Sequence, residues 1–238
     1  GNFDHQWAKR RSDWRAHYLF PLRQLAGWRR YFFVGQPAFF RDRWLNLFPR
    51  WLRFFARLPG ARLAVRSRGF GRLCERLERN APVDDLIRGQ IEEFKPDVMV
   101  FTIANMRSGA VDADYFAAAR LLGVPTAVAV FSWDNLTTKG VIPFTPDALL
   151  VWNRSMIPDA IEHHRVPRER IRIVGAPGFD KWLVPLTPAP RDAFCRRHGL
   201  RPGDPILLWL GASRNIALDE TWVIRDLRAS LDRAADPR

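Results

Sequence analysis

The chain has 238 residues, of which 47% are hydrophobic and 26% are charged. This composition is typical of a globular protein and excludes wholesale disorder, and no apolar run approaches the roughly 18 residues that a membrane-spanning helix needs. Cys74 and Cys195 are the only cysteines, which excludes a disulfide framework and indicates a reducing compartment such as the cytoplasm.

The positive charge of the chain is confined to its first third. Residues 1–80 contain 18 Lys and Arg but only 5 Asp and Glu, whereas the two classes are equal in number over residues 81–238. The first 80 residues also hold 17 of the 30 aromatic residues. Because charge and aromatic content change together near residue 80, we expect a change of role there.

The stretch from Arg43 to Arg57 has apolar residues at helical spacing, on about a third of the helix circumference. They are Trp44, Leu45, Phe48, Trp51, Leu52 and Phe55. The arginines of the stretch share another face; they are Arg43, Arg50, Arg53 and Arg57. Because the ring of Pro49 cannot follow a helical turn without a kink, we expect two short helices.

Three interpretations of this basic, aromatic segment stay open. Its apolar face packs on the neighbouring sheet while the arginines are solvated, or the segment lies on an anionic membrane surface. In a third interpretation the segment binds single-stranded nucleic acid, whose bases stack between the aromatic rings.

Apolar runs alternate with helical patterns from residue 84 onward. In chain order we predict helix 84–93, strand 98–103, helix 113–122, strand 126–132, a polar loop over 134–145, strand 148–152, helix 155–165, strand 171–174, helix 192–198, strand 206–210 and helix 219–234. Near-continuous apolar strands between helices are typical of a parallel sheet that is covered on both faces. The predicted fold class is therefore α/β.

Four segments follow from this pattern and from the proline-rich stretch after residue 184. They are a basic helical segment over 1–80, a Rossmann-like domain over 81–184, a linker with a short helix over 185–204, and the start of a second domain over 205–238. Since the chain begins at Gly1 and ends inside a predicted helix, we also expect it to be a fragment, with the second domain too short for a core of its own.

Ligands of parallel α/β sheets bind at the carboxyl ends of the strands. This rule selects the loops over residues 102–108, 132–140, 175–180 and 211–215, which are dense in polar side chains. Asn105 in the first of them and Asp180 in the third are candidate substrate-binding residues.

The loop over residues 132–140, SWDNLTTKG, carries the strongest pattern. Asp134 is the candidate catalytic residue, as a general base or as a group that orients a sugar hydroxyl. Trp133 offers a ring for stacking, the Asn135 amide can donate and accept hydrogen bonds, and Lys139 can meet a phosphate as a point charge. The alternative is a well-bonded loop with no ligand.

The stretch from Gly211 to Asn215 follows a predicted strand and precedes a helix. Small residues there let backbone N–H groups approach an anion at the helix amino terminus. Ser213 and Arg214 would add a hydrogen bond and a charge, although an ordinary strand–helix turn explains the pattern equally well.

Metal binding is not indicated by the histidines and cysteines. His163 and His164 are adjacent, so they point to different faces of a helix and do not form the i, i+4 pair of a metal site. We interpret both as structural, and neither cysteine has a partner at ligand spacing.

Several motifs together resemble a family of bacterial glycosyltransferase-like proteins encoded among surface-polysaccharide and capsule genes. They are SWDNLTTKG, PDALLVWN, IRIVGAPGFDKW, C-x-x-x-G-L and PILLWLGAS followed by Glu220. The resemblance covers roughly residues 95–230. The family is itself similar in outline to CDP-glycerol glycerophosphotransferases. It implies the two-domain GT-B fold, with two Rossmann-like domains and a cleft between them.

The resemblance also implies roles for residues. Asp134, Asn135 and Lys139 would lie on the acceptor side of the cleft. The nucleotide side would be formed by Ser213, Arg214, Asn215 and Glu220. Two departures are that no first strand is recognisable before residue 84 and that the bulk of a donor domain does not follow.

The implied activity is transfer of a sugar from a nucleotide-activated donor to a cell-surface polysaccharide or glycolipid. The donor is a substrate, so no cofactor is expected, and no metal is expected if helix amino termini and basic residues carry the diphosphate charge. The partners would be the nucleotide sugar, a saccharide or lipid-linked acceptor and, as one alternative, the inner face of the plasma membrane through residues 1–80. A glycerophosphotransferase, a nucleotide-sugar epimerase and a non-catalytic binding module are the competing hypotheses.

Overall fold

The computed structural model describes residues 7–33, 38–46, 48–102, 111–185, 187–212 and 217–234. It divides into two compact units, Gly1–Val184 and Pro185–Arg238. The helices of the first unit are α1 (Ala16–Arg30), α2 (Ala38–Leu45), α3 (Arg50–Arg57), α4 (Ala61–Arg66), α5 (Arg68–Arg79), α6 (Asp85–Phe94), α7 (Val111–Leu121), α8 (Asn135–Thr138) and α9 (Met156–His164). Its strands are β1 (Met99–Phe101), β2 (Thr126–Ala129), β3 (Ala148–Val151) and β4 (Ile171–Ile173), and the second unit contains α10 (Arg191–His198) and α11 (Thr221–Arg233).

Pro49 separates α2 from α3, which confirms the predicted break. Proline lacks the N–H that an interior helical position would donate, and here it stands immediately before the first residue of α3. Gly60 precedes α4 with a φ of 84°, a conformation that glycine adopts without steric cost. The basic region is therefore a series of short helices joined by tight turns.

The helices of the first third enclose an aromatic core of their own. Its buried residues are Trp28, Tyr31, Trp44, Leu45, Phe48, Leu52, Ala56 and Val65. The expectation of one continuous apolar face was wrong, because Trp51 and Phe55 are 52% and 55% exposed. The buried members pack around Trp28 of α1 rather than on the sheet.

The four strands form a parallel sheet in the order β1-β2-β3-β4. The paired residues Phe101, Val128, Leu149 and Ile171 lie side by side on one face, and all are buried. Helices α6, α7 and α9 contribute to the same core through Ile87, Phe116 and Ala160. This arrangement confirms the α/β class and the parallel sheet.

The expectation that both faces are covered was wrong for the described residues. On the second face Val100 is 58% exposed and Arg172 is also exposed. Strands that follow one another in sheet order through right-handed crossovers place all connecting helices on one face. A doubly wound sheet covers its second face by reversing the strand order, and these four strands contain no reversal.

A buried ion-pair cluster attaches the first third to the sheet-containing part. Asp114 of α7, with a side chain only 2% exposed, accepts from the Nε of Arg11 at 3.1 Å and from Nη2 of Arg23 at 2.8 Å. Arg23 of α1 also binds Glu78 of α5 at 2.7 Å. The Ser12 N–H donates to Asp84, which caps α6. These contacts fix α1 and α5 relative to α6 and α7.

The predicted strand over residues 206–210 was wrong. These residues have no regular secondary structure, and Leu207, Leu208 and Leu210 are 67%, 74% and 80% exposed. A strand forms only where a neighbour supplies backbone partners, and the described residues of the second unit contain no other strand. The two predicted helices of this unit are present as α10 and α11.

Candidate functional site

The SWDNLTTKG loop, residues 132–140, lies just beyond β2, at the carboxyl edge of the sheet. Most of the predicted polar loop is irregular, but α8 forms one helical turn within it. The carbonyl of Asp134 accepts the N–H groups of Thr137 and Thr138 at 3.1 and 2.8 Å, and the Asn135 N–H donates to Ser132. The loop is thus folded tightly around Asp134.

The Asp134 carboxylate already has three neighbours. Its Oδ1 accepts from the Ser132 hydroxyl at 2.6 Å, and its Oδ2 accepts from the Thr138 hydroxyl at 2.7 Å and lies 3.5 Å from Nζ of Lys139. Partial burial acts to raise the pKa of Asp134, but the two hydroxyl donors and the Lys139 charge outweigh it and hold the pKa below its usual value. Asp134 is therefore ionised at neutral pH and is a weak base.

Trp133 presents its ring to solvent at the same edge. Its side chain is 72% exposed, and Phe131 beside it is 70% exposed. Trp152, just after β3, donates its indole N–H to the carbonyl of Val130 at 2.7 Å, and Phe179 contacts its ring edge-on at 5.6 Å. Aromatic side chains from three strand ends are therefore gathered near the polar loop.

Two residues at the carboxyl end of α1 hold the loop by hydrogen bonds to its backbone. Arg30, buried and without a carboxylate among its described hydrogen-bond partners, donates to the backbone carbonyls of Thr137, Lys139 and Gly140, the last at 3.1 Å. Tyr31 donates its hydroxyl to the carbonyl of Thr138. Sequence reasoning missed both residues, because contacts between positions more than 100 residues apart leave no local pattern.

His164 fixes the other side of the loop. Its Nδ1 accepts from the Ile142 N–H at 3.1 Å, and its Nε2 lies 2.9 Å from the Leu136 carbonyl, to which it donates as the neutral tautomer. Full burial, assisted by the nearby Arg30 charge, lowers the pKa of His164 to about 3. The prediction of a structural role for His164 is confirmed.

The remaining predicted site residues differ in burial and in secondary structure. Asn135 is only 4% exposed, so its amide faces the interior and not a ligand. Asp180 lies exposed on a 3-10 turn over Pro177–Trp182. In the second unit Glu220 accepts the Ala212 N–H at 2.7 Å. Four candidates, Asn105, Ser213, Arg214 and Asn215, lie outside the described residues.

A cavity of about 790 Å³ lies elsewhere in the first unit, between the segment just before α1, the carboxyl end of α5, the amino end of α6 and the carboxyl end of α7. Its charged lining includes four arginines and three aspartates: Arg15, Arg79, Arg88, Arg120, Asp13, Asp84 and Asp85. Since α7 returns to the amino edge of the sheet, this cavity is at the edge opposite the SWDNLTTKG loop. No predicted site residue that the structure describes lines this cavity.

Two classes of feature are not found in the part of the chain that the structure describes. No three His, Cys, Asp or Glu side chains are grouped so that they could hold a metal ion. No helix there has the length and apolar character that crossing a bilayer requires.

Comparison with known proteins gave no match. No protein-family model, no curated protein and no solved structure is significantly similar to the chain. The function must therefore be argued from the site itself.

Proposed function

We propose that the chain forms the acceptor side of a GT-B glycosyltransferase-like protein, which transfers a sugar from a nucleotide-activated donor to a cell-surface polysaccharide or glycolipid. The observation that carries the proposal is the exposed Trp133 ring next to the ionised Asp134–Lys139 pair, on a loop that Arg30, Tyr31 and His164 hold in place. The resemblance carried by SWDNLTTKG supports the same assignment.

Each part of this arrangement suits a saccharide acceptor. The Trp133 indole can stack on the apolar face of a sugar ring, and its exposure leaves that face accessible. The Asp134 carboxylate can accept a hydrogen bond from a sugar hydroxyl, because each carboxylate oxygen has two acceptor positions. Its low basicity favours a role in orienting the acceptor over one in removing a proton.

The proposed mechanism relies on positioning. An acceptor hydroxyl that is aligned with the anomeric carbon of the donor reacts with a much smaller entropic barrier than a free one. Lys139, with a side chain 32% exposed beside Asp134, would add a positive charge near the leaving diphosphate. Ser213, Arg214, Asn215 and Glu220 remain the proposed nucleotide-side residues, and Asn105 and Asp180 remain proposed acceptor contacts.

Acceptor binding is tested with Trp133→Ala and Asp134→Asn, using a panel of bacterial surface oligosaccharides and intrinsic fluorescence titration. We expect the wild-type protein to bind at least one member and each variant to bind about tenfold or more weakly. Trp7→Ala is the matched control, since Trp7 is 95% exposed elsewhere in the same unit. Equal binding by Trp133→Ala and wild type would contradict the proposal.

The donor and the reaction are tested on the full-length protein by calorimetry with UDP, GDP and CDP, followed by product analysis with activated donors. A transferred sugar supports the proposal, a transferred glycerol phosphate favours a glycerophosphotransferase, and an inverted donor favours an epimerase. Absence of saturable binding for all three nucleotides would favour a non-catalytic module.

A further inference from the structure

Helix α3 exposes a row of apolar side chains that has no partner among the described residues. Trp51, Phe54, Phe55 and Leu58 are 52%, 64%, 55% and 41% exposed. Trp51, Phe54 and Phe55 stand at positions i, i+3 and i+4 of α3 and form one stripe, which Leu58 at i+7 continues just beyond the last helical residue. We name these four residues the α3 stripe.

The stripe is held outward by the rest of the helix. Leu52 and Ala56, one turn apart on another side of α3, are buried in the aromatic core at 4% and 5% exposure. The Arg53 guanidinium donates to the carbonyls of Asn46 and Phe48 at 2.7 and 3.2 Å. Because this side is anchored, α3 cannot turn its stripe inward without losing core contacts.

The surroundings of the stripe are strongly basic. The chain has eight arginines and no acidic residue between Asp42 and Glu75. Arg50 and Arg57 of α3 are exposed and make no ion pair with a described residue. On the following helix Arg62 is exposed next to Leu63, whose side chain is 73% exposed.

We propose that the α3 stripe and its flanking arginines dock the protein on an anionic lipid bilayer. Aromatic and leucine side chains partition into the boundary between headgroups and acyl chains, while arginines at the same level bind lipid phosphates. This inference concerns where the protein acts, and it does not depend on the proposed sugar transfer.

The ring geometry favours lipid over single-stranded nucleic acid. The ring centroids of Phe54 and Phe55 are 5.7 Å apart and their planes meet at 75°. The ring centroids of Trp51 and Phe55 are 6.4 Å apart and their planes meet at 71°. The three rings thus form one apolar cluster and not a series of separate platforms between which bases could stack. Leu58 extends this cluster with a side chain that offers no stacking face.

The test is co-sedimentation of the full chain with vesicles of phosphatidylcholine alone or mixed with phosphatidylglycerol. We expect binding to the mixed vesicles only, and a fall of about tenfold or more in the partition coefficient for the triple variant Trp51→Ser, Phe54→Ser, Phe55→Ser. The control is Trp222→Ser, which removes a 60% exposed tryptophan from α11 and should bind as wild type does. Circular dichroism checks that the variants keep their helices.

A second variant separates local charge from total charge. Arg50→Gln, Arg57→Gln and Arg62→Gln together should weaken binding about tenfold or more, whereas the same change at Arg225, Arg228 and Arg233 of α11 should have little effect. The proposal is overturned if the wild-type protein does not bind anionic vesicles, if the stripe variant binds them as well as wild type, or if the two arginine sets weaken binding equally. It is also overturned if the stripe substitutions abolish oligonucleotide binding or self-association instead of vesicle binding.

Discussion

At the scale of single residues, the candidate site depends on two buried side chains that belong to other parts of the chain. His164 links helix α9 to the SWDNLTTKG loop, and Arg30 links α1 to the same loop. Both bind backbone carbonyls, so they fix the path of the loop whatever its exposed side chains are. The candidate site residues, exposed Trp133 and partly buried Asp134, are therefore held in place by side chains from other elements.

Burial of neutral His164 predicts a loss of stability in mild acid. The unfolded chain takes up a proton near the ordinary histidine pKa of 6.5, whereas the pKa in the fold is about 3, so stability falls as the pH drops below 6.5. Between pH 7.5 and 5 the free energy of unfolding should decrease by about 2 kcal/mol in urea titrations.

The matched control for this pH effect is the neighbouring histidine. His163→Gln should retain the decrease, because His163 is partly exposed and pairs with Asp159 at 3.5 Å. His164→Asn should be less stable at pH 7.5 but should lose most of the pH dependence. An unchanged pH dependence in His164→Asn would show that another group is responsible.

Arg30→Met should destabilise the protein by about 3 kcal/mol, because it leaves buried carbonyls of the SWDNLTTKG loop without donors. Urea unfolding measures the loss, and hydrogen exchange at residues 137–140 should accelerate. Arg43→Met removes an exposed arginine of α2 and should cost about 0.5 kcal/mol or less. Similar losses in the two variants would contradict the role assigned to Arg30.

At the scale of elements, the basic first third and the sheet-containing part are joined by buried charges. Asp114 on α7 receives guanidinium groups from Arg11 and from α1, and α5 joins through Glu78. Charges buried in this way are costly unless every one is paired. The cluster therefore fixes which helices are neighbours, and it brings the end of α1 to the SWDNLTTKG loop.

Asp114→Asn removes the negative charge between two buried arginines and should cost about 3–5 kcal/mol in the free energy of unfolding. Asp85→Asn is the control, since the Asp85 side chain is 85% exposed and pairs only with neighbouring Arg88 among the described residues. A small effect of Asp114→Asn in urea titration would mean that water screens the cluster.

At the scale of the whole molecule, the two compact units differ in how much they bury. The first unit contains two hydrophobic clusters of buried residues. In the second, α11 has no buried residue, and Trp222, Ile224 and Leu231 are 60%, 51% and 61% exposed. Helical stability comes mainly from packing an apolar face, so α11 receives little of it from the described residues.

Native-state hydrogen exchange should therefore be faster in the second unit than in the core of the first unit. We expect the amides of α11 to exchange about a hundredfold or more faster than those of β3, whose Leu149 and Val151 are fully buried. Mass spectrometry of peptic fragments measures both elements in one experiment. Comparable protection in α11 and β3 would indicate that another surface covers the apolar side of α11.

Local sequence signals were sufficient to predict most helices and strands. Helix α6, the break at Pro49 and strands β1 to β4 were predicted because capping residues, proline and apolar periodicity act within a few neighbours. Residues 206–210 looked like a strand by the same local criteria, but a strand also needs a partner that no local pattern can supply.

Which side chains are exposed and which are buried is set by long-range packing, which local sequence does not reveal. In the fold Asn135 is buried, whereas Trp133, Trp51 and Phe55 are exposed. Arg30 of α1 donates to backbone carbonyls of the SWDNLTTKG loop. Each of these outcomes depends on contacts between distant parts of the chain. Periodicity fixes which residues share a side of a helix, but the direction that side faces is set by what the rest of the molecule places against it.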